Sequence, residues 1–265
     1  MVGIVRSELI RLRRRSVLVG WTGLAVLFTV LVVFVMFQVV DPSGDGATDA
    51  PGVAFPTAAE LLSRSGIMAG LPAASSFLGV VTLSFWALTA AGDSSTGLIR
   101  VLVSAEPRRW RLLAGKWVAL ALVTAAVVAV VVVANLVAAP AAASAGGWSP
   151  DAWGTGLIGV MAKAALDLYL SLLVWGTVGL ALAGVTRSAG IAIGVGVGWV
   201  LLVEAVITAL SSGIGQWLPG TTLTALAGGG STDLSYGGAT GLGALYVAVA
   251  LLASWAVFTR RDITE

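Results

Sequence analysis

An all-helical, multi-pass membrane domain is the fold this sequence predicts, and three observations predict it. Of 265 residues, 58% are hydrophobic and only 11% are charged, where soluble domains carry about a quarter charged residues. Six nearly uncharged runs are each long enough to cross a bilayer. The charges between them alternate, basic in one set of loops and acidic or sparse in the other. Mean hydropathy is +0.98.

The elements follow in order. On a helical wheel of residues 2–15, Val2, Val5, Leu9 and Leu12 share one face, and Ser7, Arg11, Arg14 and Arg15 lie opposite. That pattern predicts an interfacial amphipathic helix, the alternative being a basic tail; Arg11, Arg13, Arg14 and Arg15 would meet anionic headgroups. Residues 17–40 carry no charge. At the helical rise they would reach roughly 36 Å, more than a signal-peptide core needs, so a retained span is expected.

Spans are expected at about 17–40, 71–92, 113–139, 164–186, 188–211 and 240–259. Between the first two, Asp41, Asp45, Asp49 and Glu60 stand against Arg64. The 93–116 loop carries Arg100, Arg108, Arg109, Arg111 and Lys116. Asp151 and Lys163 occupy 140–163, Arg187 marks a tight turn, 212–239 holds Asp233, and Arg260 and Arg261 follow the last span. With both termini in the cytosol, every basic residue except Arg64 and Lys163 lies there, as the positive-inside rule favours.

Cysteine and histidine are both absent. Disulfides, thiolate or imidazole metal sites, cysteine nucleophiles and Ser-His triads are therefore excluded, and no catalytic or metal-ligating residue is expected. The net charge is +2, and the basic residues follow topology instead of forming one patch, which argues against nucleic acid as a partner. No G-x-x-x-x-G-K-[ST] phosphate loop occurs: Gly115-Lys116 lacks the earlier glycine and the following hydroxyl residue.

Several residues stand out for chemistry or packing. Within 93–105, Asp93 and Ser94 are candidate N-caps; Leu98, Val101, Leu102 and Ala105 follow at helical spacing, and Pro107 stops the run. Such a helix either lies on the membrane surface or presses into a groove on a cytosolic partner. Gly190, Gly194 and Gly198 recur every fourth residue and make a close-packing face, within the subunit or across a dimer. Glu204 is an acid well inside a span, either a polar contact in a transport path or a carboxyl bonded to a neighbouring helix. Asn135 reads as interhelical glue or as a second polar residue of that path. Lys163 and Asp167, four apart, either pair or snorkel. Trp86, Trp175 and Trp199 read as packing residues.

From Asp93 through Ser-Ser-Thr-Gly-Leu-Ile-Arg-Val-Leu-Val-Ser-Ala-Glu-Pro-Arg-Arg and on to Leu112-Leu-Ala-Gly-Lys116, the chain resembles the first cytosolic loop of ABC-2 type transporter permeases. An acidic residue, a Thr-Gly pair, a Leu-rich turn and a Pro-Arg step lead to a lysine opening the third span. Asp93 stands where Glu is usual, and Thr96-Gly97 reverses the commoner order. Residues 8–15 resemble that family's elbow helix, and Phe258-Thr-Arg-Arg-Asp-Ile263 its short cytosolic tail. Gln216 to Ala227 resembles its short re-entrant helices before the last span, the alternative being an external loop.

The resemblance implies a homo- or heterodimeric permease in a bacterial cytoplasmic membrane, each subunit bound by a separate cytosolic ATPase that holds ATP and Mg. The chain itself would be neither an enzyme nor a cofactor carrier. The coupling residues would be Asp93, Thr96, Gly97, Leu98, Arg100, Val101, Leu102, Glu106, Pro107 and Arg108, and the cargo an apolar or amphiphilic molecule moved outward. An ion-coupled secondary transporter with Glu204 in its path is the alternative. A lipid-modifying enzyme would lack catalytic groups.

Overall fold

Each apolar run folds as a helix, because inside a bilayer the backbone has only its own donors and acceptors to satisfy it. The computed structural model describes residues 2–12, 15–41, 49–50, 53–95, 108–154 and 156–260. A first helix, α1 (Val2–Leu12), precedes α2 (Arg15–Val39). A two-residue antiparallel pairing joins Asp49–Ala50 (β1) to Val53–Ala54 (β2). After it come α3 (Ala58–Leu62), a 3-10 turn (Gly66–Met68), and the long helices α4 (Gly70–Ser95), α5 (Arg109–Ala145) and α6 (Leu157–Thr186). The fifth apolar run is built from α7 (Ala189–Gly198), a π-helical turn (Trp199–Glu204) and α8 (Ala205–Leu210). Two short helices, α9 (Ser212–Gly215) and α10 (Pro219–Gly228), lead into α11 (Tyr236–Arg260).

Among the described residues six helical stretches are long and apolar enough to cross a membrane: Val17–Val39, Gly66–Asp93, Trp110–Ala145, Leu157–Thr186, Ala189–Leu210 and Tyr236–Val257. They match the six expected runs, with two extensions. Helix α5 continues past 139 to Ala145 with Pro140 inside it. Pro140 is exposed there, and the surrounding alanines, strong helix formers, carry the helix through it. Helix α6 starts at Leu157, before Lys163, from a left-handed Gly156 at φ 67°.

The most extensive helix–helix contact among the described residues is that of α4 with α6. Their ridges interlock reciprocally: the Trp175 ring of α6 lies against Gly79 of α4, and the Trp86 ring of α4 lies against Gly176 of α6. Both indoles are buried, as packing residues should be. Trp86 also donates from Nε1 to Thr124 Oγ1 on α5 (3.1 Å). At Gly179 the neighbour is the Leu83 backbone carbonyl, which has no rotamer to give way. Gly179→Ala is therefore expected to lower stability by about 1–3 kcal/mol through overpacking, read as the thermal unfolding of detergent-purified protein. Gly194→Ala, where an added methyl meets no atom of the same chain within 4 Å, should not lower the stability of the single subunit.

Helix α2 packs on α4 and α5, α1 on the start of α5, and α11 on α6. The segment before α4 folds beneath this bundle, with Phe55, Leu61, Ile67 and Met68 buried. Thr57 and Glu60 close α3 in a reciprocal capping box. Asn135 of α5 donates from Nδ2 to the Ile67 carbonyl (2.8 Å), and Trp153 donates from Nε1 to the Leu61 carbonyl (2.9 Å). Asn135 is thus bonded between elements of the chain.

Candidate functional site

Among the described residues, clusters of polar side chains held by elements far apart in sequence interrupt the apolar interior, and two of them bear on the candidate residues. The first lies where α4 ends and α5 begins. Asp93 sits in the last turn of α4, 7% exposed, and Lys116 in the second turn of α5, 9% exposed. Lys116 Nζ donates to Asp93 Oδ2 and to the Thr89 carbonyl, the latter at 2.9 Å. Arg11 of α1 donates from Nη2 to Asp93 Oδ1 and from Nη1 to Glu8 Oε1 (2.6 Å). Glu8 is itself buried. Two acids and two bases thus neutralise one another, the arrangement that buried charges require. Gly115 lets the Ile4 side chain seat directly on α5 beside them.

This cluster differs from the expectation that Asp93 caps a following helix. Its carboxylate is occupied by two cations, and the residue belongs to the preceding helix. Arg11, expected on the lipid-facing side of α1, turns inward to Asp93. Arg15 opens α2. Arg108 stands at the N-cap position of α5. Arg13, Arg14, Thr96, Gly97, Leu98, Arg100, Val101, Leu102, Glu106 and Pro107 lie outside the described residues. Glu8 was not singled out from sequence, although it is the one acid in a basic stretch, three residues before Arg11.

The second cluster centres on Glu204, 4% exposed. Both carboxylate oxygens accept from the Gly220 backbone N–H (Oε1 3.0 Å, Oε2 2.7 Å), and Oε1 also accepts from Trp199 Nε1 (2.6 Å). Pro219 opens α10, and Leu218 before it offers no side-chain cap. Glu204 supplies that cap from another helix, placing negative charge at the positive end of the α10 dipole. A side chain at Gly220 would meet this carboxylate and displace it from the helix end. The π-helical turn makes the Trp199 bond possible: five residues apart, the two side chains would diverge on an α-helix, whereas an i→i+5 turn stacks them.

Helix α10 packs against α4, α6 and α11, with Gly220, Thr222, Leu223, Ala225, Leu226 and Ala227 buried. Thr221 and Thr222 lie within it and donate back to the Leu218 (3.0 Å) and Gln216 (3.2 Å) carbonyls. Ser171 Oγ of α6 donates to the Leu223 carbonyl (2.9 Å). At the far end Gly229, at φ 79°, closes the helix while the Gly230 N–H returns to the Ala225 carbonyl (2.8 Å). Lys163 pairs there with the buried Asp167 (2.6 Å), whose other oxygen accepts from the Tyr236 hydroxyl (2.7 Å).

Among the described residues Gly190, Gly194 and Gly198 meet no other helix; the nearest neighbour to a methyl at any of them is Ser188 Oγ, 3.9 Å from Gly190. Their face points away from the chain, while Ala192 and Gly196 on the other side are buried. Glu204, Asn135 and the glycine face are therefore not gathered in one place; Asp93 and Arg11 are. Among the described residues no three His, Cys, Asp or Glu side chains cluster as a metal site would need.

No curated protein matches the chain. Residues 48–264 match a family model described as "Protein of unknown function (DUF2705)", and the chain belongs to that family.

Proposed function

We propose that the chain is the membrane-spanning subunit of an ATP-driven exporter of the ABC-2 type, with ATP and Mg held by a separate cytosolic ATPase. The carrying observation is the Asp93 cluster. The acidic position of the loop pattern is bound at once by Arg11 of the N-terminal helix and Lys116 of α5. The two feet of the loop and α1 thus form one unit, which is what a loop receiving force from a partner needs. On this reading α1 is the elbow helix, the loop between α4 and α5 carries the coupling helix, and both termini are cytosolic. The buried α10 before the last span, the six apolar helices and the missing phosphate loop support the same assignment. The outward glycine face supports a dimer of such subunits. Sparse charge in the spans favours an apolar or amphiphilic cargo.

Binding and hydrolysis in the ATPase would move the loop and, through it, α4 and α5 together. The test is co-purification of the tagged chain with its ATPase subunit. The wild-type chain should retain the ATPase, and Leu98→Asp with Leu102→Asp should lose it while still inserting into the membrane. Retention by that variant would overturn the coupling assignment. Transport by vesicles containing the chain without any ATPase would favour the ion-coupled alternative.

A further inference from the structure

Among the described residues four acids are buried: Glu8, Asp93, Asp167 and Glu204. Three of them meet a cation. Glu8 and Asp93 share Arg11, Asp93 also holds Lys116, and Asp167 holds Lys163. Glu204 differs. Its carboxylate is answered by the Gly220 and Trp199 N–H groups and by the positive end of α10. Among the described residues the titratable side chain that faces it is Tyr246 of α11, whose hydroxyl already donates to the Trp217 carbonyl. Helices α7, α8, α9 and α10 bring it no ionisable group.

Two protonation states fit this geometry. Both donors already converge on Oε1, at 3.0 Å from the Gly220 nitrogen and 2.6 Å from Trp199 Nε1, while Oε2 receives the second branch of the Gly220 bond. A proton taken from water onto Oε2 leaves Oε1 as a carbonyl acceptor for both. What it removes is one negative charge. At Asp93 the same step would strand the buried Lys116; at Glu204 no cation is left behind. The end of α10 does lose its counter-charge, and Leu218 supplies no side-chain cap to replace it. At the opposite end Lys163 and Asp167 stay paired against Gly229. Protonation of Glu204 thus frees one end of α10 and leaves the other held.

We propose that Glu204 is a proton-operated latch: ionised, it docks the N-terminal end of α10 among α4, α6 and α11; protonated, it lets that end go. The latch stands whether or not the export reading does. The full chain in phosphatidylcholine nanodiscs is followed by hydrogen exchange from about pH 8 to about pH 4, an interval that spans carboxylate titration. Protection factors are taken against the intrinsic exchange rate at each pH. Those of Gly220, Thr221 and Thr222 should fall about tenfold on acidification, within the range that a partly buried charge at a helix end commands. Glu204→Gln fixes the neutral state, so its protection there should be low at every pH. Protection within α6 should stay constant. Infrared difference spectra of the wild-type chain should show a protonated-carboxyl band, missing from Glu204→Gln, that rises as protection falls. Wild-type protection at 220–222 that does not change with pH would overturn the latch, whether or not the variant folds. So would an equal fall in α6, an equal acid-induced fall in Glu204→Gln, or a Glu204 band that rises without loss of protection.

Discussion

Replacing Asp93 with alanine is expected to lower stability by about 3–5 kcal/mol, the range for removing one partner of a buried charge pair. The size follows from what is left behind. Lys116 is 9% exposed and would keep only the Thr89 carbonyl, while Arg11 would keep Glu8. Arg11 has a side chain one-third exposed, so water takes up part of its loss. Lys116 supplies most of the effect. Lys116→Met should be milder, because Asp93 retains Arg11. The double variant Asp93→Ala with Lys116→Met should recover much of the loss, since no buried cation is then stranded. Thermal unfolding of the four proteins gives a double-mutant cycle. A double variant as unstable as the sum of the singles would show that the pair is not coupled.

Glu204→Ala is the second large effect. It leaves the Gly220 N–H and Trp199 Nε1–H without their acceptor at a buried helix end, each orphan costing about 1–3 kcal/mol. Loss of a carboxylate from the helix N-terminus adds roughly 0.3–2 kcal/mol. Glu204→Gln should fall between, since an amide oxygen in the Oε1 position keeps both donors but the NH₂ then faces the Gly220 N–H in place of Oε2, and the negative charge is lost. Trp199→Phe should be mild, because Glu204 keeps Gly220. Amide exchange at Gly220, Thr221 and Thr222 provides a local readout. Unchanged exchange there in Glu204→Ala would refute the capping role.

Much of this architecture was legible because the signals were long. A run of twenty apolar residues says helix whatever the neighbours do, and all six runs formed one. The Lys163–Asp167 pair was legible too, since four residues on a helix bring side chains together. What escaped depended on distance in sequence or on geometry without a compositional mark. Nothing in Trp199-Val-Leu-Leu-Val-Glu204 announces a π-helical turn, and Glu204 finds Gly220 only because α10 folds back between the long helices. Tyr236 reaches Asp167 from 69 residues away. Arg11 looked amphipathic and peripheral because a wheel of α1 alone cannot contain Asp93.

The π-helical turn also changes how the fifth apolar run must be counted. Positions spaced by four drift about 40° per step on an α-helix, so a straight helix would carry such a series from one side to the other within five steps. Here Gly190, Gly194 and Leu202 are exposed and Gly198 half-buried, while Ala192, Gly196 and Glu204 are buried. The one extra residue in the turn resets the phase. A substitution scan through this run should therefore beat with a period of four, and a single-residue deletion in 199–204 would swing everything beyond it, including the residue that holds α10, to a different side.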